Sequence, residues 1–192
     1  RKKGKVILGG PHVSLVNAAH KKIGSRATKA LKELHDEFDV LVAGDGEDAI
    51  FPAMQGSGLI DADDPKGSLF LTNDRYNALP YPARHLVDLN SYHYEIDGER
   101  ATSLIAQLGC PFECGFCGGR STAFLRKIRT RTSESIVGEL KFLHQHYGYK
   151  GFMFHDDELN VNKNVVSLMQ QVTALQSDLG VEFRCRGFIK AE

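Results

Sequence analysis

The sequence has no excess of charge of either sign. Lys plus Arg and Asp plus Glu both number 24, so the formal net charge is zero. That balance gives no global argument for a polyanionic partner and leaves only local basic patches to consider. Long apolar runs are missing too: no stretch approaches the roughly 20 residues that a membrane-spanning helix needs. The basic start Arg1-Lys2-Lys3-Gly4-Lys5 is followed only by Val6-Ile7-Leu8 before two glycines, too short for the core of a signal peptide. Internal repeats and low-complexity tracts are absent. Cysteine is scarce, with four in 192 residues, and three of the four fall within eight positions. A secreted disulfide scaffold would spread its cysteines to staple distant loops, so this clustering excludes that class and points to a metal site in a reducing cytoplasm. The chain opens on Arg rather than Met and reads as part of a longer protein.

What is present is an α/β pattern in two stretches. In residues 1–60, Lys5-Val6-Ile7-Leu8 predicts a buried strand stopped by Gly9-Gly10-Pro11, residues 26–37 a helix, and Val40-Leu41-Val42-Ala43 a second strand ended by Gly44-Asp45-Gly46. Glu47 to Met54 begins another helix, with Pro52 predicting a break or an early-turn position. Strand, helix, strand at this spacing suits a parallel sheet. Periodicity fades over 56–100, so 61–100 is read as an ordered linker.

Residues 101–192 return to α/β. Thr102 to Leu108 predicts a strand that runs into the cysteine loop. Ser133 is placed to cap a helix, with Glu134 in its first turn and Ile136, Leu140, Leu143 and Tyr147 on one face. Gly151 to His155 predicts the next strand, and Asn162 or Asn164 caps a helix with Leu168, Val172 and Leu175 inward. Val181, Phe183 and Cys185 then alternate with Glu182, Arg184 and Arg186 as a third strand, with Cys185 on the inward face. The order βαβαβ predicts a parallel sheet with right-handed crossovers.

The chemistry concentrates in Gly109-Cys110-Pro111-Phe112-Glu113-Cys114-Gly115-Phe116-Cys117-Gly118-Gly119, a C-x3-C-x2-C spacing. Thiolates are soft ligands suited to iron–sulfur clusters or zinc. A four-iron cluster ordinarily takes four thiolates, so three would leave one iron open. A structural zinc site would instead need a fourth ligand, from Cys185 or a histidine such as His155. The small residues Gly115, Gly118 and Gly119 let the backbone wrap closely.

This segment resembles the signature of the radical S-adenosylmethionine (SAM) superfamily, including the aromatic Phe116 just before the last cysteine. The resemblance implies that Cys110, Cys114 and Cys117 hold a 4Fe-4S cluster. It also implies that SAM lies on the open iron near Phe116 and Gly118, and that reductive cleavage generates a deoxyadenosyl radical. A loop after the first strand of a (βα)6 partial TIM-type barrel is the fold that goes with it. His155-Asp156-Asp157-Glu158 follows the second predicted strand. In the family an acidic turn there receives the SAM amino group, which singles out Asp156 and Asp157, with solvated acids in a helix-initiating turn as the alternative reading. Arg186 is the counterpart for the SAM carboxylate, with a structural ion pair as the equal alternative. The basic run Arg126, Lys127, Arg129 and Arg131 could face an anion, but reads first as a solvated loop.

Upstream, Gly9-Gly10-Pro11-His12 and Gly44-Asp45-Gly46-Glu47 follow successive strands. They resemble the closing part of the Rossmann-like cobalamin-binding domain of cobalamin-dependent radical SAM proteins. On that resemblance Gly9, Gly10, Pro11, His12, Gly44, Gly46 and Glu47 approach the cobalamin tail, with His12 not a cobalt ligand. The alternative is a domain in which the glycines merely make turns.

The expected architecture is therefore the end of a Rossmann-like domain (1–60), a linker (61–100) and the first half of a radical SAM barrel (101–192), read as a fragment of a longer protein, a truncated gene product or one piece of a split protein. The activity implied is cobalamin-dependent methyl transfer to an unactivated carbon. Radical SAM chemistry without functional cobalamin and a non-catalytic metal-binding module are the alternatives. The partners implied are a small-molecule substrate, an electron donor such as flavodoxin or ferredoxin, and the remainder of the barrel, with no membrane or nucleic acid.

Overall fold

The computed structural model describes residues 4–23 and 25–190. The basic start at Arg1-Lys2-Lys3 and the last two residues of the chain lie outside them. In chain order the first elements are β1 (Ile7–Leu8), α1 (Pro11–Ile23), α2 (Ser25–Glu37), β2 (Val40–Gly44), α3 (Gly46–Gln55), β3 (Gly58–Ala62) and α4 (Asn73–Ala78). There follow β4 (Glu95–Ile96), β5 (Glu99–Leu104), β6 (Gln107–Leu108), α5 (Ala123–Arg126), β7 (Arg129–Thr130), α6 (Ser133–Tyr147), β8 (Gly151–Phe154), α7 (Val165–Leu179) and β9 (Arg184–Gly187). They form two compact units. One comprises residues 1–72 with 111–128, and the other 73–110 with 129–192.

The first unit is a three-stranded parallel sheet in the order β1-β2-β3. Every residue of the central strand Val40–Gly44 is buried, as a strand covered on both faces requires. Val40 and Val42 pack with Ala49 and Ala53 of α3 on one side. Leu41 and Ala43 pack with Val13 of α1 and Leu31 of α2 on the other. Three sequence expectations change here. Residues 58–62, read as connector, form β3 and pair in register with β2 from Val40↔Gly58 to Gly44↔Ala62. Pro11 does not only close a turn: it starts the 13-residue helix α1, the position where its fixed φ and missing N–H cost nothing. The helix α3 also runs through Pro52 and ends only at Gln55.

Gly44 shows why its residue type is dictated by the fold. Its φ is +94°, and a Cβ there would lie 2.3 Å from the carbonyl carbon of Ala62 on the neighbouring strand. Both backbone strain and overlap with backbone oppose any side chain, so Gly44→Ala is expected to cost about 2–4 kcal/mol. A chemical denaturation curve superimposing on that of the wild type would contradict this.

The second unit is a four-stranded sheet, β4-β5-β8-β9, with β5, β8 and β9 parallel and β4 antiparallel at one edge. Helices α6 and α7 cover it. Ile136, Leu140 and Leu143 meet Phe152, Phe154, Leu168, Val172 and Phe183 in one core, and the Phe152 and Phe183 rings meet edge to face at 5.0 Å. The N-cap of α6 is Thr132 rather than Ser133: its hydroxyl accepts the Ser135 N–H at 3.2 Å. Gly148 and Gly180 end α6 and α7 in the left-handed conformation. Among the described residues no helix is long and apolar enough to cross a membrane.

Candidate functional site

In the second unit, β5 and β8 run parallel and the loops after both carry the residues singled out by sequence. The expected single strand over Thr102–Leu108 is broken. β5 ends at Leu104, and Gln107–Leu108 turns away to pair antiparallel with Arg129–Thr130. The cause is Asp156, which follows β8. Its Oδ1 accepts the N–H of Ala106 at 2.7 Å and of Gln107 at 2.8 Å, taking both amides out of the strand ladder. Gln107 in turn donates to the carbonyls of Glu158 at 3.3 Å and Gly109 at 3.5 Å. The acidic turn and the entry to the cysteine loop are therefore one bonded assembly that ends one residue before Cys110.

Asp156 is buried, whereas Asp157 is exposed. Burial pushes the Asp156 carboxyl above its ordinary pKa, and the amides of Gln107 and Ala106 pull it part of the way back. Its Oδ2, Gln107 Oε1 and Glu158 Oε2 are buried acceptors with no hydrogen-bond partner among the described residues. An acid whose pKa rises on folding keeps a proton that the unfolded chain has released. Stability therefore falls as pH rises from the ordinary carboxylate range through the folded value. Asp156→Asn keeps the acceptor and removes the charge, so its melting temperature is expected to lose that slope. Asp156→Ala leaves two buried amides unpaired and is expected to cost about 1–3 kcal/mol. Thermal melts of both variants between pH 4 and 8 check this; an Asn variant as pH-dependent as wild type would contradict it.

The remaining side chains of the second unit are placed as follows. Arg186 is exposed on β9 and pairs with Asp97 at 3.2 Å, and Arg184 pairs with Glu182 at 2.6 Å. Cys185, expected in the core, is exposed, because β9 is the last strand of its sheet among the described residues. The basic run is not a solvated loop. Arg129 is buried in β7, and Arg131 is held by Glu139 at 2.5 Å. Glu139 also takes Arg84 at 2.7 Å, an assembly that sequence reasoning missed because its members lie 55 and 8 residues from Glu139.

The first unit holds Cys114 and Cys117. Both are free thiols, as is Cys110 of the second unit. The Cys117 N–H bonds to the Cys114 carbonyl at 3.0 Å, forming a tight turn with Phe116 at its tip, 94% exposed. Gly118–Ser121 continues as a 3-10 turn. Among the described residues no three His, Cys, Asp or Glu side chains form a ready-made metal site. The donor chemistry fits an iron–sulfur cluster: the thiols are soft ligands, none is in a disulfide, and Cys114 and Cys117 share one glycine-rich turn.

The glycine loops of the first unit are tied to each other. Ser14 on α1 donates its hydroxyl to the Gly10 carbonyl at 3.0 Å and accepts the Gly44 N–H at 2.8 Å. Gly10 has φ +93°, and Gly44 is required by strand packing. Gly9, Gly46, His12 and Glu47 are exposed. Local conformation accounts for Gly10 and Gly44, and the Gly44 N–H is already taken. The conformation of these two glycines therefore needs no cobalamin to explain it.

Residues 104–192 match the radical SAM superfamily. The radical SAM match opens at Leu104, the last residue of β5, and takes in the cysteine loop, the acidic turn and β9. The chain is also similar to a Pyrococcus horikoshii protein named as an uncharacterized methyltransferase, 27% identical over 174 residues. That alignment covers 82% of this chain and 34% of the relative, so the chain spans about a third of the relative's length.

Proposed function

We propose that this chain provides the cluster-bearing part of a radical SAM enzyme. Cys110, Cys114 and Cys117 would be the three thiolate ligands of a 4Fe-4S cluster whose fourth iron is left for SAM. The observation that carries the reading is the free C-x3-C-x2-C thiol set inside the matched radical SAM segment. When bound, such a cluster supplies the electron that cleaves SAM reductively. Cys110, Cys114 and Cys117 would each supply one thiolate to it. Phe116 and Gly118 would contact bound SAM, and the exposed Asp157 would offer an acceptor to its ammonium group. Asp156 serves the same end from beneath, by holding the entry to the loop. Arg186, already paired with Asp97, would reach a SAM carboxylate only by giving up that partner.

Methyl transfer to a small-molecule substrate is the reaction we favour, supported by the name of the Pyrococcus relative. A one-electron donor protein would supply the reductant. The Gly10 and Gly44 conformations are explained without cobalamin. The test is release of methionine from SAM by the anaerobically reconstituted protein with a strong reductant. Methionine release that depends on the reductant is expected; none from a fully loaded cluster would overturn the proposal.

A further inference from the structure

In the first unit, one end of the sheet is engaged by residues that come much later in the chain. Asp63 follows β3 and is 7% exposed. Its Oδ1 accepts the N–H of Phe124 at 2.7 Å, 61 residues on. Lys22 at the end of α1 donates its ammonium to the Ser121 carbonyl at 3.2 Å. Leu15, also on α1, packs so close to Gly118 that an added Cβ there would lie 3.4 Å from its Cδ1. The stretch is thus held at 118, 121 and 124. Arg126 closes it backwards, donating to the Phe112 carbonyl at 3.3 Å and pairing with Glu113 at 3.1 Å. Cys114 and Cys117 lie inside that closed loop.

Gly118 and Gly119 give the loop no side chain with which to pack, so its path depends on holds supplied from outside. Asp63 is the buried one. Its backbone N–H donates to Asp61 Oδ1 at 3.0 Å, while Asp61 is itself paired with Lys21. Burial raises the Asp63 carboxyl pKa, with the Phe124 and Ala123 amides opposing the rise and the Asp61 charge adding to it. A carboxylate kept in such a place against its desolvation cost needs a bonding role, and the Phe124 amide supplies one.

We infer that the N-terminal α/β unit acts as the holder of the cysteine loop, with Asp63 as a positioning residue. Its carboxylate fixes the Phe124 amide and, through residues 118–126, the path on which Cys114 and Cys117 lie. The inference rests on reading those cysteines as cluster ligands. It gives the N-terminal unit a task that requires no cofactor of its own.

The test has two arms. In the metal-free protein, amide hydrogen exchange at Phe124 is expected to rise about ten-fold in Asp63→Ala and to stay near wild type in Asp63→Asn, whose amide oxygen still accepts the bond. After anaerobic reconstitution, Asp63→Ala is expected to bind less iron and sulfide and to show a changed electron paramagnetic resonance signal on reduction, with Asn restoring both. Lys22→Met removes a hold at the surface and is expected to move both readouts less, in the same direction. It serves if Asp63→Ala does not fold. Wild-type exchange and loading in Asp63→Ala, or in Lys22→Met if Asp63→Ala is unfolded, would overturn the inference. So would loss of both in Asp63→Asn, which would make charge rather than the hydrogen bond decisive. If the wild-type protein binds no cluster, the ligand reading fails instead, and the exchange arm still tests the hold.

Discussion

Glu139→Ala is expected to destabilise the second unit by about 3–5 kcal/mol, enough to unfold much of a marginal domain. The Glu139 side chain is 1% exposed and lies between two arginines that are 11% and 10% exposed. Arg84 and Arg131 also donate to the carbonyls of Ser103 and Ile105, at 2.8 and 3.3 Å, so the three side chains brace the end of β5 against α6. Removing the carboxylate leaves two buried cations facing each other with no anion. That is the costly way to break such an assembly, because the desolvation penalty stays while the attraction is lost. Glu139→Gln keeps a hydrogen-bond acceptor and should lose less. Urea denaturation followed by circular dichroism checks the ranking; a Glu139→Ala midpoint at the wild-type value would contradict it. The consequence reaches the site, since the segment braced here leads through β6 to Cys110.

The other large effect falls on the cysteines. Single replacement of Cys110, Cys114 or Cys117 by Ala leaves at most two thiolates for a cluster that requires three. Each is expected to abolish reductive SAM cleavage while leaving the unfolding free energy within about 1 kcal/mol of wild type, because all three are at least partly exposed and fill no core space. Cys185→Ala serves as the matched control. It removes the one other thiol, exposed on β9, and cleavage should persist. Loss of activity in Cys185→Ala with retention in Cys114→Ala would reverse the ligand assignment.

Most of the regular structure was legible because its apolar spacing is strong. Val40–Ala43 reads as a buried strand and is one. The helical face Ile136, Leu140 and Leu143 is buried as its spacing predicts. What escaped did so for physical reasons. The buried face of α1 includes Ser14 and Asn17 beside Val13 and Ala18, so half of its signal is polar. β3 reads Gly-Leu-Ile-Asp-Ala, too short and too interrupted to stand out, and gains its place only by pairing with β2. The break between β5 and β6 is imposed by a carboxylate about 50 residues away, which no local pattern contains. The basic run 126–131 looked solvated because its anionic partners, Glu113 and Glu139, are distant or out of phase in the sequence. The cysteine loop was legible from spacing alone. The residues that hold it, Asp156 on one unit and Asp63 on the other, became visible only in three dimensions.

In the proposed enzyme the three loop cysteines hold an iron–sulfur cluster with one iron open to SAM. This assignment is tested most directly by electron paramagnetic resonance of the anaerobically reconstituted, reduced protein before and after adding SAM, with iron and sulfide counted on the same sample. About four irons and four sulfides per chain and a signal that shifts on adding SAM are predicted, with both lost in Cys114→Ala. Zinc in place of iron, or a cluster signal that SAM leaves unchanged, would contradict the account.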